Sequence, residues 1–270
     1  MVKASLNAGD MISYRHVVEA VRSGGTRTGN GISGYSISQG NWNWLISAVN
    51  DCWDNGVDIG FVMIDCNTGM SVSAYPDSEY FGASTIKALW VTYLFQEYLE
   101  RGWLSWGDIG GLAYDTIVWS DNDAYRALRA SYGSEDGFAT WLDEPGVRYL
   151  GLWDTYTPRQ LIAAWTHMLE YSESGGSYVS TWKSLFDHSD HSAINEALGG
   201  YRNVYSKPGW MEWGTWSGPI TNDAALVDDC NGRKYLLAIM SSADPESQRY
   251  LIRNVAQALD AIHMEMPYSR

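Results

Sequence analysis

The 270-residue chain is 45% hydrophobic and 19% charged, which excludes a disordered polymer and suits one large domain or two closely packed lobes. A net charge of −14 argues against a nucleic-acid backbone as partner, since phosphate binding needs a basic face, and disfavours an anionic membrane surface. No apolar run reaches the ~18 residues of a transmembrane segment.

The first residues have neither the basic start nor the apolar stretch of a signal peptide, so none is expected in this sequence. Residues 1–40 are rich in Gly, Ser and Thr and predict an irregular N-terminal arm with a short helix near Tyr14–Arg22. Trp42–Trp53 has apolar residues at helical spacing and stops at Asn55-Gly56. Ile59–Ile64 is a continuous apolar run that suits a buried strand. Asn67-Thr68-Gly69 then turns the chain into a returning strand over Ser71–Tyr75. Ser84–Glu100 is apolar nearly all round, which predicts a central buried helix ending at Arg101-Gly102.

Further helices are expected over Leu112–Trp119, Asp123–Tyr132, Gly137–Leu142 and Pro158–Glu170, the last opened by the cap pair Thr157-Pro158. A polar stretch separates these from a helix at Ser192–Leu198. Asn203–Ser206, Asn222–Val227 and Tyr235–Ser241 read as strands, with a hairpin turn over Asp228–Gly232, and Pro245–Ile262 closes the chain as an amphipathic helix. The fold class expected is α/β (α+β): one antiparallel sheet built from both ends of the chain and flanked by helices, plus an inserted all-helical lobe. In residue numbers, 41–270 forms a single domain, with a sheet lobe from 41–81 and 200–270 and a helical lobe from 82–199.

Three cysteines, Cys52, Cys66 and Cys230, show no C-x-x-C spacing, so a zinc or redox motif is not expected. Cys66 and Cys230 each adjoin a turn, and a disulfide joining the turns is one reading, three reduced thiols the other. Fourteen Trp imply either an aromatic core or a cleft that stacks on ligands.

Three short motifs in order carry the chemistry. Ser84-Thr85-Ile86-Lys87 opens the buried helix, so Ser84 and Lys87, three apart, share a helix face. A serine hydroxyl needs an adjacent base to act as a nucleophile, and a desolvated lysine can become that base. A lysine on an apolar helix could instead snorkel to the surface. The second motif is Ser120-Asp121-Asn122, between two helical segments. The third, Lys207-Pro208-Gly209, ends a strand. In this order and setting, residues 41–266 resemble the serine β-lactamase and penicillin-binding D,D-peptidase superfamily, on the class A β-lactamase side.

That resemblance implies a cleft between sheet and helices, without metal or cofactor, in an extracytoplasmic or secreted bacterial protein. It implies that Ser84 attacks an acyl carbonyl, Lys87 takes or relays the proton, and Ser120 passes a proton to the leaving nitrogen. Asn122 would orient Lys87 and bind the substrate amide. Lys207 would supply positive charge, with Gly209 beside it, and the backbone N–H groups of Ser84 and Trp210 would form an oxyanion hole. Substrates would be a β-lactam, an acyl-D-Ala peptide from peptidoglycan, or an ester. Two alternatives stay open: a true β-lactamase with Glu144 as deacylation base, and a catalytically weak relative that binds peptidoglycan fragments.

The sequence departs from the family pattern at three points. Pro208 stands where the family has a hydroxyl that helps hold the substrate carboxylate, and no arginine on Ile220–Val227 compensates; proline is tolerated on an edge strand. Glu144-Pro145 echoes the family's Glu-Pro pair, but with Arg148 at the offset of the usual Asn it also reads as a surface turn. The gap from Ser84 to Ser120 is short, which implies a trimmed helical lobe. Elsewhere, His188 and His191, interleaved with Asp187 and Asp190, read as a solvated loop rather than a metal site. His16, His167 and His263 read as packing or surface residues. Trp210, Trp213 and Trp216 either wall the cleft or bury themselves under a loop, Trp210 being the best cleft candidate.

Overall fold

The computed structural model describes residues 37–142, 154–215 and 217–266. Residues 1–36 of the arm, with its helix near Tyr14 and with His16, lie outside the described residues, as do Glu144, Pro145, Arg148 and Trp216.

Ser38 caps the first helix, α1 (Gln39–Asp54), by accepting a hydrogen bond from Asn41 N, so the helix begins ahead of the predicted Trp42. Then come strands β1 (Ile59–Asp65), β2 (Ser71–Ala74) and the short β3 (Tyr80–Phe81). Asp65 ties the β1–β2 turn, its Oδ1 accepting from Asn67 N, Thr68 N and Thr68 Oγ1. A 3₁₀ turn (Ala83–Thr85) leads into α2 (Ile86–Leu94), which ends in a π turn (Phe95–Leu99) rather than running on as α-helix to Glu100.

The helical block continues with α3 (Trp106–Ile117), α4 (Asn122–Ser131) and α5 (Glu135–Leu142). After a two-residue strand β4 (Thr155–Tyr156) it resumes with α6 (Pro158–Ala164), α7 (Thr166–Glu173), α8 (Val179–Phe186) and α9 (Ala193–Leu198). The predicted Pro158–Glu170 helix is thus broken at Trp165. Helix α8 falls in the stretch read as polar: it buries only Trp182, Leu185 and Phe186, and solvent-facing residues mask that stripe. β4 pairs with β3 and so ties the helical block to the segment that enters the Ser84 turn.

Strands β5 (Asn203–Met211), β6 (Ile220–Asp228) and β7 (Lys234–Ser241) and helix α10 (Arg249–Glu265) complete the order. The sheet runs β2-β1-β7-β6-β5 with every pairing antiparallel. Its central strands are buried on both faces, which explains their nearly unbroken apolar sequences. Alternation divides them between two cores. Phe61, Met63, Leu237 and Ile239 pack with α1 and α10; Val62, Ile64, Leu236 and Ala238 pack with α2 and the helical block. Much of the aromatic surplus fills the second core, where Trp90, Tyr93, Phe138 and Trp141 meet in edge-on and tilted contacts. No described helix is long and apolar enough to cross a membrane. All three cysteines are free, so the Cys66–Cys230 disulfide is not formed.

Candidate active site

Ser84 lies in the 3₁₀ turn before α2, held from both sides. Ala83, just before it, adopts a left-handed φ of +48°. On one side Gly82 sits on the ring of Tyr156, so close that a Cβ there would fall 2.0 Å from it. Tyr156 and Thr85 hydrogen-bond through their hydroxyls, and Thr85 Oγ1 donates to Gly82 O at 2.8 Å. Asn222 on β6 donates from Nδ2 to Phe81 O at 2.7 Å and accepts from Ser241 N at 3.0 Å, pinning the entry to the turn onto the sheet. On the other side the β5 backbone presses against the turn. A Cβ on Gly209 would lie 2.7 Å from Ser84 N and 2.9 Å from Thr85 N, so only glycine allows this approach.

Lys87 follows one helical turn later and is fully buried, so it does not snorkel to the surface. Its Nζ donates to Ser120 O at 2.6 Å and Asn122 Oδ1 at 2.7 Å. Burial brings its pKa down to about 8, with Asp121 opposing and Arg126 assisting. The Ser84 hydroxyl makes no hydrogen bond among the described residues. The Ser120-Asp121-Asn122 motif has a local logic. Ser120 takes a left-handed φ of +57°, and Asp121 caps α4 by accepting from Ala124 N at 2.7 Å. Asn122 therefore starts the helix at a fixed position facing Lys87.

Lys207, on β5, is also fully buried. Its Nζ donates to Ser120 Oγ at 2.9 Å and Pro208 O at 3.0 Å. Burial holds it well below the usual lysine range; the charge of Lys87 acts the same way, and Asp223 and Asp190 oppose. Pro208 lies on β5 at the edge of the sheet, where its missing N–H breaks no ladder. Across from it on β6, Asp223 is buried and accepts from Ser192 Oγ at 2.7 Å and Ile194 N at 2.9 Å. Burial pushes its pKa up to about 7 against those two hydrogen bonds and the Lys207 charge.

A cavity of about 260 Å³ opens over these groups; Ser84, Ser120, Asn122, Trp210 and Glu212 are among the residues lining it. Seven of the eight residues expected at the site from sequence thus converge: Ser84, Lys87, Ser120, Asn122, Lys207, Gly209 and Trp210. The eighth, Glu144, lies outside the described residues. Trp213 is 71% exposed and neither walls the cavity nor buries itself. His191 is not a free loop residue: it stacks on Trp210 with centroids 4.9 Å apart, and its Nδ1 lies 2.9 Å from Asp190. His188 Nδ1 lies 3.0 Å from Ser184 O, and no metal-binding cluster of three His, Cys, Asp or Glu occurs among the described residues. His167 packs on Trp141, and His263 is buried with its Nε2 2.7 Å from Asp65.

Sequence reasoning missed Tyr156, Asn222 and Asp223. The last two had a signal, since two adjacent polar residues interrupt the start of an apolar strand (ITNDAALV). Tyr156 had none, because its contacts with Gly82 and Thr85 join distant parts of the chain.

Comparison with known proteins gives a consistent family. The model of the β-lactamase enzyme family matches residues 107–262, more than half of the chain. That match spans Ser120, Lys207 and Gly209 and begins after Ser84 and Lys87. Among solved structures, a variant of the last common ancestor of Gram-negative class A β-lactamases matches with a TM-score of 0.67 at 21% identity, covering 81% of this chain and 97% of that one. A class A β-lactamase from Mycobacterium abscessus matches with a TM-score of 0.62 at 20% identity, covering 81% and 97%. PBP-A matches with a TM-score of 0.63 at 18% identity, covering 80% and 94%. A search of curated proteins returns no match.

Proposed function

The chain belongs to the β-lactamase enzyme family and is a serine β-lactamase-like hydrolase; from that premise we propose that it forms an acyl-enzyme at Ser84 with a β-lactam, an acyl-D-Ala peptide or an ester. The observation that carries this reading is the buried amine of Lys87, brought down to about 8 one helical turn after Ser84 and held by Ser120 O and Asn122 Oδ1. A lysine in that condition is neutral often enough near neutral pH to accept a proton. A mutant of PBP-A has been captured as an acyl-enzyme with penicillin G, which supports the same chemistry here.

In the proposed reaction neutral Lys87 accepts the Ser84 hydroxyl proton as the oxygen bonds to the carbonyl carbon. The negative charge that develops on the carbonyl oxygen is met by the backbone N–H groups of Ser84 and Trp210. The C–N or C–O bond then breaks, and the leaving atom receives a proton through Ser120 Oγ, which Lys207 Nζ holds at 2.9 Å. Water later releases the acyl group. Asn122 Oδ1 holds the Lys87 amine in place, accepting from its Nζ at 2.7 Å.

The test is intact mass after incubation with a penicillin and with an activated ester. One acyl adduct on Ser84, absent in Ser84→Ala, is expected from at least one of them. Correctly folded protein that takes no adduct from either would leave only a peptidoglycan-binding role. Glu144 takes no step in this reaction. An adduct that turns over within seconds, and persists in Glu144→Gln, would instead make the protein a true β-lactamase.

A further inference from the structure

His191 sits behind the wall of the cleft rather than in it. Its imidazole stacks on the indole of Trp210, with centroids 4.9 Å apart and planes 24° from parallel. Trp210 lines the cavity over Ser84, whereas His191 lines a second cavity, of about 350 Å³, together with Trp119 and His188. The stacked pair therefore stands between the two. The segment that carries His191 is tied down at three points. Asp190 N donates to Val118 O at 3.0 Å, two residues before Ser120. Ser189 Oγ donates to Ser206 O at 2.6 Å, just before Lys207, and Ser192 Oγ donates to Asp223 Oδ2 at 2.7 Å. The ring itself lies between two carboxylates, Nδ1 2.9 Å from Asp190 and Nε2 3.4 Å from Glu246. Trp210 thus rests on a surface fixed to the Ser120 motif, to β5 and to β6.

His191 holds this place with a left-handed φ of +62°, a backbone that disfavours any residue with a Cβ. Of the five non-glycine residues with positive φ among the described residues, three, Ala83, Ser120 and His191, surround the cleft. Strain of this kind persists where the surrounding structure requires it and gathers at functional sites. We infer that His191 is a positioning residue for acylation: its ring buttresses Trp210 and so fixes the backbone N–H that meets the charge developing on the carbonyl oxygen. The inference rests on the proposed acylation at Ser84 and on the oxyanion role of Trp210 N–H. As β5 is an edge strand, its ladder to β6 holds Trp210 from one side only. The stack supplies a second hold, on the side chain. A donor aimed at charge that exists only in the transition state is worth most when fixed in advance. Loss of the stack should therefore slow bond formation and leave ground-state binding nearly unchanged.

The experiment follows acylation of Ser84 by an activated ester, read by intact mass over a range of ester concentrations, in the parent, His191→Gly and His191→Phe. Rates are taken per molecule that finally carries the adduct, so misfolded chains do not count. Glycine removes the ring but suits the left-handed backbone, so this variant should fold as the parent does. Its limiting acylation rate should fall roughly tenfold or more, while its half-saturating concentration changes less than about threefold. Phenylalanine keeps a flat ring against Trp210 without the imidazole's ion pairs, and should keep the limiting rate within about threefold of the parent. Four results would overturn the inference while leaving the proposed reaction standing: His191→Gly acylating as fast as the parent, His191→Phe as slow as His191→Gly, a loss confined to the half-saturating concentration, or a His191→Gly chain that fails to fold. A parent that takes no adduct would instead strike the proposed reaction, and the inference with it.

Discussion

Lys87 bears the cost of burial that makes it useful. Its pKa of about 8 in the fold is below the ordinary 10.5 because the charged form is desolvated. If the neutral amine is the proton acceptor, acylation kcat/KM should rise with pH and level off above about 8, falling roughly tenfold per unit below it. Lys87→Met should lower acylation by about 10²–10⁴ and abolish that limb in whatever activity remains. The sign for stability follows from proton binding. Between about 8 and 10.5 the unfolded chain binds more protons at this site than the folded one, so parent stability should climb with pH across that window. Below it the folded state bears the full cost. Urea unfolding of parent and Lys87→Met at pH 7 and pH 10 checks this: the Met variant should compare best at pH 7, and its relative stability should decline by pH 10.

At the scale of elements, the site depends on one close approach. The edge strand β5 brings Lys207 to Ser120 and lays Gly209 against the turn that presents Ser84. The nearest atoms to a new methyl at Gly209 are all backbone, so they cannot swing aside as a side-chain tip could. Gly209→Ala should therefore cost about 1–3 kcal/mol in stability. It should also slow acylation at least tenfold, because the Ser84 turn moves against its hydrogen bonds to Tyr156 and Asn222. Thermal unfolding and acylation kinetics on the same preparation measure both effects. A stability loss with unchanged kinetics would mean that the turn tolerates displacement.

Over the whole molecule, two cores on opposite faces of one sheet supply the cohesion, and no cross-link is involved. Burial raises the pKa of Cys52 to about 12 and that of Cys66 well above the usual thiol range, whereas Cys230 is exposed. Alkylation of the native protein should therefore mark Cys230 first, with three thiols reacting after denaturation. A reductant should leave the melting temperature unchanged. A melting temperature that drops with reductant would show that the two turns are bridged in solution.

The sequence by itself determined the element order over most of the described chain, because strand alternation, helical spacing and cap residues such as Asn55-Gly56 and Thr157-Pro158 are local signals. It also picked out Ser84 and Lys87, a nucleophile and a cation three residues apart, and, through the order of the three motifs and the resemblance they carry, Ser120 and Lys207. Three things were decided only by the tertiary structure. The first is the break at Trp165 together with helix α8, whose narrow apolar stripe is recognisable only against the core that covers it. The second is the set of groups that complete the site, Tyr156, Asn222, Asp223 and the ring of His191 on Trp210. The third is the state of the charges. Desolvation depends on what packs over a side chain from distant parts of the chain, so the buried amines of Lys87 and Lys207 follow from how sheet and helices meet.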